Sequence, residues 1–122
     1  MGSRGIYSVD YPQVRGYGEA TNETGMVDVI ANPGVNMYLY LDQGIISVYK
    51  AAAGGGGIAR LQDTDGNIVL TVNADSVDNV PLNWGDEGLR LGPNVGLQLI
   101  VAGGATSQAS VSVALTGHVA FR

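Results

Sequence analysis

Few residues in this sequence have the types and spacing that chemistry needs. Asp86 and Glu87 are adjacent carboxylates that could be offered as a general acid and base, but neighbours in an extended chain point to opposite sides. Neither has a nucleophile, a base or an apolar setting beside it. His118 is the one histidine and falls on the Ser and Thr side of an alternating segment with no assigned partner, which reads as a surface or interface residue. Asp63, Asp65 and Asn67 resemble the opening of a calcium loop, yet Gly66 comes too early and no bidentate Glu follows in register, so the segment reads as a turn. The glycine run 54–57 could cradle a phosphate only with a Lys followed by Ser or Thr after it, and none is there; it reads as a flexible turn or a close approach of another backbone. Asn22, Glu23 and Thr24 form a glycosylation sequon, a motif frequent by chance and dependent on a secretory context. With no cysteine and one histidine, metal sites of the usual Cys and His type are excluded. No catalytic constellation, cofactor site or metal site survives, and the chain is not expected to be an enzyme.

The elements that would position these residues are strands. Over residues 95–121 apolar side chains recur with period two: Val95, Leu97, Leu99 and Val101, then Ala109, Val111, Val113, Leu115, Val119 and Phe121, with Ser110, Ser112, Thr116 and His118 opposite. This predicts a long antiparallel hairpin with one buried face. A helix would scatter those residues, and β-branched valines favour a pleated sheet. Residues 24–31 predict a first strand, and Asn32, Pro33 and Gly34 a turn. Residues 35–42 predict a strand with Val35, Met37, Leu39 and Leu41 on the core face and Tyr38 and Tyr40 on the other. Gln43 and Gly44 read as a short turn into a strand over 45–52 that is apolar on both faces, as expected between neighbours or under a subunit interface. Residues 58–63 and 67–72 flank Thr64, Asp65 and Gly66, a strong hairpin signal. Residues 73–79 are a polar connection, 80–82 with Trp84 a short strand or plug, and 89–91 lead into the final hairpin. Eight or nine short strands at regular spacing predict an all-β chain, a β-sandwich, jelly roll or small barrel.

The 122 residues fit one domain, long enough to bury a core without staples. Residues 1–22 carry no sustained apolar period but hold Tyr7, Tyr11 and Tyr17, and are read as an extended N-terminal arm ahead of a β-sandwich domain over 23–122. Widely spaced tyrosines on such an arm suit anchors that order against a partner. A net charge of -5, with the six basic residues far apart, repels phosphate, so no nucleic-acid partner is expected. No apolar run approaches a membrane span, and no basic start leads into an apolar stretch, so neither membrane nor secretion is expected. Nineteen glycines with 14% charged residues describe many tight turns and a sparsely charged surface, more usual in a subunit of an assembly than in a free monomer.

Residues 84–92, reading Trp84, Gly85, Asp86, Glu87, Gly88, Leu89, Arg90, Leu91 and Gly92 and running on to Gln98, together with 111–121 and its Thr116, Gly117, His118 and Val119, resemble small structural proteins of tailed bacteriophage particles. The resemblance is to capsid decoration (cement) proteins with a β-sandwich or jelly-roll body. It covers about the last two-thirds of the chain and lies in texture, with Gly-rich turns, Ala, Ser and Val strands and low charge. It implies a virion protein on the capsid surface: a symmetric homo-oligomer, often a trimer, seated where major capsid protein subunits meet and reinforcing the shell. The arm would reach onto the capsid, with Tyr7, Tyr11, Tyr17, Tyr38 and Tyr40 as partner-binding residues. The alternative is a tail, fibre or neck component that binds host glycan or bridges tail proteins, with Trp84 and the tyrosines as stacking surfaces.

Overall fold

A computed structural model describes residues 13–21, 25–51, 57–102 and 109–121. Nine strands lie within them: β1 (Gln13–Thr21), β2 (Met26–Ile30), β3 (Tyr38–Lys50), β4 (Ile58–Asp63), β5 (Ile68–Asn73), β6 (Asp78–Asn83), β7 (Leu89–Pro93), β8 (Leu97–Ala102) and β9 (Ser110–Ala120). They form two antiparallel sheets. The first runs β1-β9-β3-β6, with β7 also on β3, and the second runs β2-β8-β4-β5. Strands β6 and β7 pair with successive halves of β3, β6 with Gln43 to Val48 and β7 with Tyr38 to Leu41. They therefore act as one strand interrupted by residues 84–88. Counted so, each sheet has four strands, and the chain changes sheet at every connection except the β4–β5 hairpin. That is the strand order of a jelly roll, so the chain is an all-β sandwich as the alternation predicts.

Strands β3, β4, β8 and β9 give the main apolar rows to the space between the sheets. Leu39, Leu41, Ile46 and Val48 of β3 and Val111 and Val113 of β9 share a core with Ala59 and Leu61 of β4 and Leu97, Leu99 and Val101 of β8. Each large side chain there contributes roughly 1.5–3 kcal/mol by leaving water. The β4–β5 hairpin forms as its turn residues predict. Gly66 has φ 93°. The Asp63 carboxylate is turned onto the loop, where Oδ1 accepts from the Asp65 and Asn67 amides at 2.9 Å each and Oδ2 from Asn67 Nδ2 at 3.0 Å.

Four expectations need correction. The strands expected to pair as a hairpin over 95–121 have the predicted buried faces, but β8 lies in the second sheet and β9 in the first. Two strands with one apolar face each can meet face to face as well as edge to edge, and the period-two pattern is the same for both. The expected turn at Gln43 and Gly44 is absent: β3 runs through it. Its register against β9 shifts between Leu41 and Gln43, a bulge that moves the inward phase from Leu39 and Leu41 to Ile46 and Val48. Val35 and Phe121, placed on core faces, are 75% and 73% exposed; residues 35 and 36 turn the chain before β3, and Phe121 follows the end of β9.

The fourth correction concerns the arm. Residues 13–21, expected ahead of the sandwich, are β1, paired along its length with β9 from Gln13 opposite His118 to Thr21 opposite Ser110. Its inward positions are Val14, Gly16, Gly18 and Ala20. A Cβ on Gly16 would lie 2.5 Å from Ile30 Cγ1 and 2.8 Å from Val29 Cγ1, so the bare backbone is what lets β1 sit directly on β2. Residues 1–12, with Tyr7 and Tyr11, the sequon at 22–24, and 103–108 lie outside the described residues, as does the glycine run apart from Gly57.

Candidate interaction surface

The outward face of the first sheet gathers most of the sequence-predicted contact residues that are described. In β1 the odd positions point out, in β9 the even ones, and in β3 beyond the bulge the odd ones again. Strand register then fixes rows across the sheet. Tyr17 is opposite Ala114, Ala114 opposite Ile45, and Ile45 opposite Pro81. On one side lies the row Arg15, Thr116, Gln43 and Asn83, and on the other Glu19, Ser112, Ser47 and Asn79. An apolar row with Tyr17 61% and Ile45 40% exposed is thus bordered by two polar rows, with charge only on β1.

Beside this row Tyr17 and Tyr49 share the Glu19 carboxylate. The Tyr17 hydroxyl donates to Glu19 Oε1 at 3.3 Å, and the Tyr49 phenol lies within the influence of Glu19 and Ser110. Partial desolvation against the sheet, and next the Glu19 carboxylate, raise the pKa of both phenols. Both rings remain more than half exposed, so water screens the effect.

The β3 bulge organises the other end of the face. Asp42, buried where the register shifts, accepts from His118 Nδ1 of β9 at 3.0 and 3.1 Å through its two oxygens. The His118 ring stacks on Tyr40, with centroids 4.7 Å apart and planes 9° from parallel. Tyr38 lies under the Arg90 guanidinium of β7 at 4.8 Å. The break between β6 and β7 closes over the same bulge. The Trp84 amide donates to the Asp42 carbonyl at 2.9 Å, and Gly88, at φ 78°, passes so near that a Cβ would sit 2.7 Å from Asp42 Oδ1. The carboxylate orients the imidazole by charge-assisted hydrogen bonding, and the ensemble fastens β9, β3 and β7 together.

Of the sequence-predicted residues, the structure places Tyr38 and Tyr40 at this bulge and Tyr17 at the opposite edge, all on one face. Asp86 and Glu87 are exposed in the 84–88 loop. Among the described residues no group of three or more His, Cys, Asp or Glu is placed to hold a metal. Sequence reasoning missed Asp42, which is 76 residues from His118, and the Glu19–Tyr49 pairing. A carboxylate inside an otherwise apolar strand was the one signal for Asp42.

No protein-family model matches the chain, and no curated protein matches it. Among solved structures it is similar to a chain of the cyanophage Pam1 capsid asymmetric unit, with TM-score 0.56 and 15% identity, over 88% of this chain and 85% of that one. Structures of infectious bursal disease virus, Gt and Gx strains, align with TM-scores 0.43 and 0.38 at 14% and 16% identity, over 89% of this chain and 31% of theirs. At such identity the likeness to the Pam1 chain is one of fold: this chain shares its β-sandwich over nearly the whole of both.

Proposed function

We propose that the chain is a virion structural protein, a capsid decoration (cement) protein that binds the major capsid protein on the outer shell as a homo-oligomer and reinforces it. It acts without catalysis, cofactor, nucleic acid or membrane. The observation that carries this reading is the near-complete mutual coverage with a chain from a capsid asymmetric unit: the likeness joins two chains of comparable length. The fold suits the work, since stacked sheets make a rigid body with broad flat faces. An outer face with tyrosines and little charge supports it further, because aromatic residues are enriched and charges depleted where proteins meet. In this reading Tyr17, Tyr38 and Tyr40 contribute from the body and Tyr7 and Tyr11 from the residues before it. Avidity over many equivalent sites turns modest contacts into stable attachment. Quantitative mass spectrometry of purified particles tests the reading. Hundreds of copies per particle are expected, whereas a handful would assign the chain to the tail and refute the cement role.

A further inference from the structure

The three central rows of the outward face of the first sheet are palindromic. Take the row Tyr17, Ala114, Ile45 and Pro81 as an axis lying across the strands. Arg15 and Glu19 stand two residues to either side of it on β1, Thr116 and Ser112 on β9, Gln43 and Ser47 on β3, and Asn83 and Asn79 on β6. A two-fold rotation about that axis lays a second copy face to face. The apolar row then meets itself, Thr116 meets Ser112, Gln43 meets Ser47, Asn83 meets Asn79, and Arg15 meets Glu19. Each of these three rows finds its own chemistry or the opposite charge.

We infer that this face binds a second copy of the same chain through an isologous, two-fold contact centred on the Tyr17, Ala114, Ile45 and Pro81 row. Isologous contacts require self-complementarity of this kind. Arg15 forms no ion pair among the described residues, and the partner's Glu19 supplies one twice over by symmetry. Four strands at ~4.8 Å spacing and nine residues of β1 make a face roughly 19 by 30 Å. The pair therefore covers roughly 1,100 Å² in total, at the low end of specific interfaces. Aligned sheets cross at about 30°, which displaces β1 from its counterpart by roughly 4 Å, within the reach of Arg and Glu side chains. The inference rests on register and charge and stands apart from any place in a virion. The trimer implied by the decoration-protein resemblance would need a different surface.

Charge reversal tests it with the full chain. Arg15→Glu alone sets Glu against Glu, and Glu19→Arg alone sets Arg against Arg, so each variant should associate at least ~10-fold more weakly than wild type. Mixed one to one, the first variant is acidic at both positions and the second basic at both, so each supplies the charge the other lacks and a heterodimer should form. Ala114→Arg, exposed on the axis and opposite Tyr17, should also dissociate the pair. Sedimentation equilibrium from micromolar to millimolar protein reads the masses, with circular dichroism and melting curves confirming that each variant is folded. Dimeric wild type, weakened single variants and a recovered mixed pair support the inference. A monomeric wild type over that range, an assembly whose mass neither reversal changes, or folded variants that fail to pair on mixing would overturn it.

Discussion

Deleting residues 1–21, which removes β1, should destabilise the protein far more than deleting residues 1–12 alone. Strand β1 is paired with β9 along all of Gln13–Thr21. Its backbone at Gly16 and Gly18 lies on Val27, Val29 and Ile30, and Val29 and Ile30 are buried. Uncovering those two side chains costs roughly 3–6 kcal/mol. The lost ladder hydrogen bonds, each worth about 1 kcal/mol net, are offset in part by the entropy regained when nine residues are released. The apolar term alone is comparable to a domain's total stability of roughly 5–15 kcal/mol. It predicts a fall in Tm of at least ~10 °C or outright loss of the cooperative transition. Thermal melts followed by far-ultraviolet circular dichroism on both truncations measure this. A 1–21 deletion melting within a few degrees of the full chain would refute the placement of β1 in the core. The distinction also decides how attachment is assayed. Binding of the 1–12 deletion to stripped particles tests Tyr7 and Tyr11 as anchors, whereas a deletion through residue 21 confounds attachment with folding.

Val113 is fully buried on β9 and Ser112 faces outward, so Val113→Asp should abolish the folding transition through an unpaired buried carboxylate costing several kcal/mol. Ser112→Asp should cost only about 0.2–1 kcal/mol, because it faces Glu19 across the strand pair; equal melting of the two variants would show the faces misassigned. The raised phenols of Tyr17 and Tyr49 stay neutral to higher pH in the fold than in the open chain. Their contribution to stability is therefore present below about pH 10 and lost as pH rises through the raised values. Glu19→Gln should lower both phenolate absorbance midpoints, and unchanged midpoints would exclude the shared carboxylate.

Legibility followed the size of the inward side chains. The valines and leucines of β9 and the Asp65–Gly66 turn declared themselves, because bulky alternation and a positive-φ glycine have few other readings. Strand β1 did not, since three of its inward positions are Gly16, Gly18 and Ala20, which carry too little apolar surface to register as a core face. The bulge at Asp42 hid the continuity of β3, because a one-residue phase change looks like a break in the pattern. That the partners of β8 and β9 lie in different sheets was invisible for a simpler reason: alternation specifies which face is buried and leaves the neighbour open. The contact face itself was half legible, with Tyr17, Tyr38 and Tyr40 named but their rows set by pairings across some 70–100 residues.

The pairing of β1 with β9 also sets an order of events during synthesis. The first described strand lies at the edge of its sheet with β9 as its lateral neighbour there, and β9 joins it to β3. Among the described strands, a nascent chain therefore carries β1 unpaired until β9 has emerged, and insertion of β9 closes the first sheet from both sides. Contacts this distant in sequence fold slowly. Where many copies are made side by side, the vacancy between β1 and β3 accepts β9 of any copy, so strand exchange competes with closure as local concentration rises.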